Sequence, residues 1–128
     1  MMTTGINHFT ILTDDVPGTV RFYQDVLGLR EGWRPNLGFA GAWLYSNGTP
    51  VLHIVGGKSR EQLQPGVIDH MAFSATGLAD ALATLTARGV QHVYRQQPES
   101  GTWQVFFHDP NGARVELDFA AEETAPPR

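Results

Sequence analysis

The sequence contains no cysteine. That excludes disulfides, thiolate metal sites and cysteine nucleophiles, so any metal must be held by His, Asp or Glu. Basic residues are also scarce. Nine Lys and Arg stand against thirteen Asp and Glu, for a net charge of −4, and the nine are scattered. Nucleic acid demands a clustered basic face, and none is present. No apolar run reaches the length of a membrane span. The first ten residues, "MMTTGINHFT", lack the basic-then-apolar order of a signal peptide. A cytoplasmic protein with neither membrane nor nucleic-acid partners is expected. The 128 residues are 41% hydrophobic and 17% charged, which suits one globular domain with an ordinary core.

What is present is present twice. "INHFTILTDDVPGTVRFYQDVLGL" starts at Ile6 and "IDHMAFSATGLADALATLTARGV" at Ile68. Each opens with an Ile-x-His strand, passes a polar turn and enters a helical pattern. In the first copy Val16, Val20, Tyr23 and Leu27 fall on one helical face. Asp14 or Asp15 can cap that helix, Pro17 suits its first turn, and Gly28 ends it. In the second copy Leu78, Leu82 and Leu85 form the stripe and Gly89 ends it. A strand, an Asn-Gly turn ("SNGT", "PNGA") and a final strand ("PVLHIV", "RVELDF") close each copy. The expected fold class is α+β. It consists of two βαβββ modules, about 5–57 and 66–119, pairing into a curved mixed sheet, with a linker at 58–65. The tail 120–128 has the composition of a disordered segment.

Polar residues interrupt these apolar strands at matching places. His8 and His70 each take the third position of their opening strands. His53 lies in the last strand of the first module, and Glu116 in the last strand of the second. Strand alternation puts His53 on the face opposite Leu52 and Ile54, and Glu116 on the face opposite Val115 and Leu117. The Glu116 face also carries Arg114 and Asp118, too polar for a core, so it should line a cavity. A pseudo-twofold pairing of the modules would gather three imidazoles and one carboxylate, a donor set suited to Fe, Mn, Ni, Co or Zn with open positions. His53 is open to a second reading, as an acid/base beside the metal that titrates near neutrality. Thr10, Trp43, Tyr45, Trp103, Gln104 and Arg114 are candidate substrate contacts, as small, aromatic or hydrogen-bonding neighbours of those positions.

The stretches "INHFTILTDDVPGTVRFYQDVLGLREGW", "IDHMAFSA" and "FFHDPNGARVELDF" resemble the vicinal oxygen chelate superfamily. That group includes glyoxalase I, methylmalonyl-CoA epimerase, extradiol dioxygenases, fosfomycin-resistance enzymes and bleomycin-binding proteins. The resemblance covers about 6–119. It implies metal ligands at His8, His53, His70 and Glu116, and dimers in many members. It further implies a metal-dependent enzyme that chelates a small oxygen-bearing substrate, with lyase, isomerase or epimerase chemistry in which Glu116 and His53 are catalytic. Glyoxalase I usually has Glu where His53 stands, which separates this chain from that pattern. The alternatives implied by the same resemblance are ring-cleaving dioxygenation at Fe(II) and non-catalytic binding of a small molecule.

Overall fold

A computed structural model describes residues 2–127. The chain divides into two compact units, with the boundary between Gln64 and Pro65. The first unit runs β1 (Phe9–Leu12), α1 (Val16–Leu27), β2 (Arg30–Gly32), β3 (Gly41–Ser46) and β4 (Thr49–Val55). The second runs β5 (Met71–Ser74), α2 (Leu78–Ala87), β6 (His92–Gln96), β7 (Trp103–His108) and β8 (Arg114–Phe119). Both have the expected βαβββ order. The sheet orders are β1-β4-β3-β2 and β5-β8-β7-β6. In each, the first strand runs parallel to the last, and the other pairs are antiparallel. The chain between the parallel strands runs through the helix and the two other strands of the unit, a crossover long enough for parallel pairing.

Local chemistry explains the boundaries. Asp15 caps α1, its Oδ1 accepting from the Gly18 amide at 3.0 Å. Gly28, at φ 72°, ends the helix in the left-handed region that glycine tolerates best. The turn between β3 and β4 places Asn47 and Gly48 at φ 50° and 78°, the pair of left-handed residues that a two-residue hairpin needs. The corresponding turn of the second unit is longer. There Asp109 Oδ1 accepts from the amides of Asn111 and Ala113, both at 2.8 Å. The two Asn-Gly pairs therefore serve different turns.

In the first unit Val20 and Tyr23 are buried together with Leu44, Leu52 and Ile54 of β3 and β4. In the second, Leu78, Leu82 and Leu85 are buried, as are Val105, Phe107, Val115, Leu117 and Phe119. The alternate residues of these strands are left on the opposite faces, which is where the polar groups of interest lie.

The tail departs from its composition. The N-cap of α2 is Gly77, which has no side chain to cap with. Glu123 takes that place, its Oε1 accepting from the amides of Gly77 at 3.1 Å and Leu78 at 2.7 Å. Trp103 Nε1 donates to the Glu123 carbonyl at 2.9 Å. The negative charge also sits favourably at a helix N-terminus.

Candidate metal and substrate face

In the first unit the polar face is built on β1, β3 and β4. Register pairs Thr10 with His53 and Trp43 with His53 across adjacent strands. The His53 ring is sandwiched, with its centroid 3.7 Å from that of His8 and 4.1 Å from that of Trp43 and both ring pairs within 12° of parallel. His53 Nε2 is buried and has no hydrogen-bond partner. Burial, then the neighbouring His8 and Arg34 charges, hold the His53 pKa below its usual 6.5, against a raising hydrogen bond to the Pro50 backbone. His53 is thus a neutral imidazole with a free ring nitrogen at pH 7. His8 is exposed, and its Nδ1 is bonded to Asn7 Oδ1 at 2.8 Å. Thr10 is exposed as well. Tyr45 lies over Gly32 and its hydroxyl donates to the Trp33 carbonyl, so it braces the segment after β2.

In the second unit the same positions carry a hydrogen-bonded cluster. His70 Nε2 lies 2.9 Å from Glu116 Oε1, and His70 Nδ1 lies 2.7 Å from Asp69 Oδ2. Arg114 Nη1 also reaches Asp69, at 2.8 Å, while its guanidinium lies over the Phe106 ring at 4.7 Å. Gln104 Nε2 donates to Glu116 Oε2 at 3.3 Å. Glu116 is buried, which by itself would raise its pKa. Hydrogen bonds from Asp118, Gln104 and His70 outweigh that and keep the carboxyl below its usual range. Asp118 behaves in the opposite way. Burial, the bond to Glu116 and the Glu116 charge raise its pKa to about 6, and its Oδ1 has no hydrogen-bond partner. Below about pH 6 the pair holds one proton between its two carboxyls. Asp69, bonded to His70 and Arg114, has a lowered pKa.

A cleft of about 610 Å³ opens on this face, lined by His70, Arg95, Gln104, Phe106, Arg114 and Glu116 among others. A larger one, about 720 Å³, runs past Thr86, Val90, His92 and Phe107. It is lined by no carboxylate, so the smaller cleft is the one with the chemistry.

The structure therefore places the expected residues in two pairs, His8 with His53 and His70 with Glu116. Among the described residues, no group of three or more His, Asp and Glu forms a metal cage. Gln104 and Arg114 join the His70–Glu116 pair, and Trp43 joins His53. Trp103 does not share the Glu116 face. It pairs with buried Phe119 and faces the core side of the sheet. Three participants escape a reading of the strands alone. Asn7 and Asp69 precede the two histidines, and the repeat "INH"/"IDH" held that signal. Phe106 stands opposite Glu116 and meets the His70 ring edge-on at 6.1 Å.

The donor chemistry fits a divalent cation. In each unit an Asx side chain holds the Nδ1 of the opening histidine and orients its ring, as the outer partners of metal ligands do, and in the second unit this directs His70 Nε2 at Glu116. His53 adds an unpartnered nitrogen, and Glu116 an ionised carboxylate. His8 and His53 lie ring on ring, so their in-plane lone pairs run side by side. Joint ligation requires the exposed His8 ring to rotate out of the stack.

Comparison with known proteins agrees with this fold. A family model, Glyoxalase/Bleomycin resistance protein/Dioxygenase superfamily, matches residues 5–117. "Glyoxylase I 4" of Arabidopsis thaliana is 31% identical over 122 residues, spanning 89% of this chain and 70% of that protein. The crystal structure of a FosX fosfomycin resistance protein mutant from Listeria monocytogenes, complexed with Mn(II) and 1S,2S-dihydroxypropylphosphonic acid, superposes with a TM-score of 0.76. It is 20% identical, with 93% of this chain and 94% of that one covered. A glyoxalase family protein from Bacillus anthracis gives a TM-score of 0.76 at 18% identity, covering 94% and 98% of the two chains. On this evidence the chain is a member of the glyoxalase/bleomycin resistance/dioxygenase superfamily.

Proposed function

We propose that the chain is a metal-dependent enzyme of the glyoxalase-like type. It acts on a small oxygen-bearing substrate with lyase, isomerase or epimerase chemistry. The observation that carries this reading is the repeated Asx–His device, Asn7–His8 and Asp69–His70, each paired with a group from its unit's last strand. His8, His53, His70 and Glu116 would hold the metal. A bound divalent ion supplies a Lewis acid for a developing enolate-like oxyanion. Asn7 and Asp69 fix their imidazole rings. Gln104 and Asp118 hold the Glu116 carboxylate in place, and Asp118 retains a proton beside it below about pH 6. His53 stays neutral, which suits a ligand or a proton acceptor equally. Arg114, over the Phe106 ring, presents a cation at the cleft.

The relatives support a metal and a small molecule without fixing either. FosX carries Mn(II) and a phosphonic acid in its crystal, and the cation here is one of Fe, Mn, Ni, Co or Zn. We further propose a cytoplasmic homodimer. No helix among the described residues is long and apolar enough to cross a membrane. The large exposure of Ile6, Val67 and Ile68 supports self-association.

Metal analysis of tag-free protein after reconstitution tests the reading. Stoichiometric binding of one of those ions is expected, and only a trace would overturn it. Turnover of a hemithioacetal with Ni or Co supports the glyoxalase type. Catechol-dependent oxygen uptake with Fe(II) would replace it with ring cleavage, and stoichiometric ligand binding without product with a sequestering role. A His53→Ala variant that keeps its metal but loses turnover would make His53 the acid/base.

A further inference from the structure

The loop after β2 brings a cation to the polar face of the first unit and leaves it without a counter-charge. Arg34 is half-buried. Its Nη2 donates to the Phe39 carbonyl at 3.1 Å, and its guanidinium lies 5.0 Å from the centre of the Phe39 ring. Its Nε is buried with no hydrogen-bond partner, and among the described residues no carboxylate pairs with it. A Cβ at Gly41 would collide with the Ile54 carbonyl and stand 2.9 Å from Arg34 Nη2, which places the guanidinium over Gly41 on this face. Gly41 alternates with Trp43 on β3, and Trp43 stacks on His53. Arg34 therefore lies on the same face as His53, whose Nε2 is the other buried, unpartnered nitrogen of that unit.

An unsatisfied buried donor on a fixed cation is costly unless a partner completes it. The planar fork of N–H donors on a guanidinium matches the two oxygens of a carboxylate. A phosphate dianion calls for more than one cation. Trp33 is 72% exposed and Phe39 49%, beside this edge, which offers a wall for an apolar body.

We propose that Arg34 is a substrate-recognition residue that binds the carboxylate of a small organic anion whose apolar part lies against Trp33 and Phe39. The inference deepens the proposed function by naming the substrate class. It rests on that reading only in assigning the anion to the same site.

The test uses the metal-free, ¹⁵N-labelled full chain and three probes: benzoate, benzyl alcohol and inorganic phosphate. Benzoate is expected to shift the Arg34 Nε–Hε resonance saturably and to quench tryptophan fluorescence, with weaker effects from the other two. Arg34→Gln should weaken benzoate binding by about tenfold or more, and Arg34→Lys should retain part of it. Benzoate binding without an Arg34 shift, or unchanged in Arg34→Gln, would overturn the proposal. Phosphate binding more tightly than benzoate would overturn the carboxylate assignment. If Arg34→Gln fails to fold, the Arg34 shift in the unaltered chain and its loss of apolar support in Trp33→Ala decide the matter. Metal content measured on the same samples separates the two readings. Benzoate binding in a chain that takes no metal overturns only the enzyme reading, and metal uptake without benzoate binding overturns only this one.

Discussion

The His8–His53 pair and the His70–Glu116 pair occupy equivalent positions in two copies of one βαβββ unit, yet different forces hold them. The first is a stack, His8 on His53 on Trp43, with one ring nitrogen unpartnered and His8 open to solvent. The second is a charged hydrogen-bond cluster in which Asp69, Gln104, Arg114 and Asp118 surround the pair. One residue on the last strand makes this difference. A neutral imidazole at His53 leaves the first face short of negative charge, so Arg34 stays unpaired there. A carboxylate at Glu116 draws donors in from β7, β8 and the segment before β5. The repeat sets where a functional group stands, and that group sets the electrostatics around it.

The sharpest way to break the comparison is to remove the carboxylate. Glu116→Ala deprives His70 Nε2, Gln104 and Asp118 of their common partner and deletes the proposed anionic ligand. Metal affinity should fall by more than about a hundredfold, beyond the range for outer partners. Calorimetric titration checks this, and retention of near-normal affinity would remove Glu116 from the ligand set. Next come the two residues that hold the histidines. Asp69→Ala and Asn7→Ala should each weaken metal binding by about 10- to 100-fold. Asp69 should cost more, because its charge also engages Arg114. Equal losses in the two variants would mean that the charge at Asp69 contributes nothing.

A third contrast concerns the helices. Asp15 caps α1 from the adjacent residue, while Glu123 caps α2 from 46 positions away from Gly77. Asp15→Ala and Glu123→Ala should each lower stability by about 1 kcal/mol, the usual worth of a cap. Only the second should also loosen the segment after β8, since Trp103 Nε1 is tied to the same residue. Thermal melts and hydrogen exchange at α2 distinguish the two.

These cases mark what a sequence can show. The Asp15 cap, the Gly28 stop, the Asn47–Gly48 turn and the alternation of "VLHIV" and "RVELDF" are local or periodic, so they are visible in a short window. The positions of His8, His53, His70 and Glu116 follow from the repeat. Trp103 was less visible, because the face it takes depends on its pairing with Phe119 across strands. Arg34 lies in an irregular loop with no period to interpret, and its place depends on its contacts with the Phe39 carbonyl and ring. Glu123 sits in a stretch of disordered composition, and its place depends on long-range contacts with the start of α2 and with Trp103.

The smallest effect is also the most discriminating, because it gives the metal-free units opposite responses to pH. His53 has its folded pKa lowered from 6.5, so folding favours its neutral form. Its contribution is present above 6.5 and is lost as pH falls through the folded value. Asp118 has its folded pKa raised from 3.8 to about 6, so folding favours its protonated form. Its contribution is full below 3.8 and is lost as pH rises through about 6. Glu116 and Asp69 have folded values below 4.5 and 3.8, and they act only in more acidic solution. Between about pH 5 and 7 the first unit should therefore tighten and the second loosen as pH rises. Hydrogen exchange at Leu52 of β4 and Leu117 of β8 reads the two separately. His53→Gln should flatten the first profile and Asp118→Asn the second, each leaving the other unit unchanged. Parallel profiles at the two strands would show that the proton held between Glu116 and Asp118 has no counterpart in the stability of their unit.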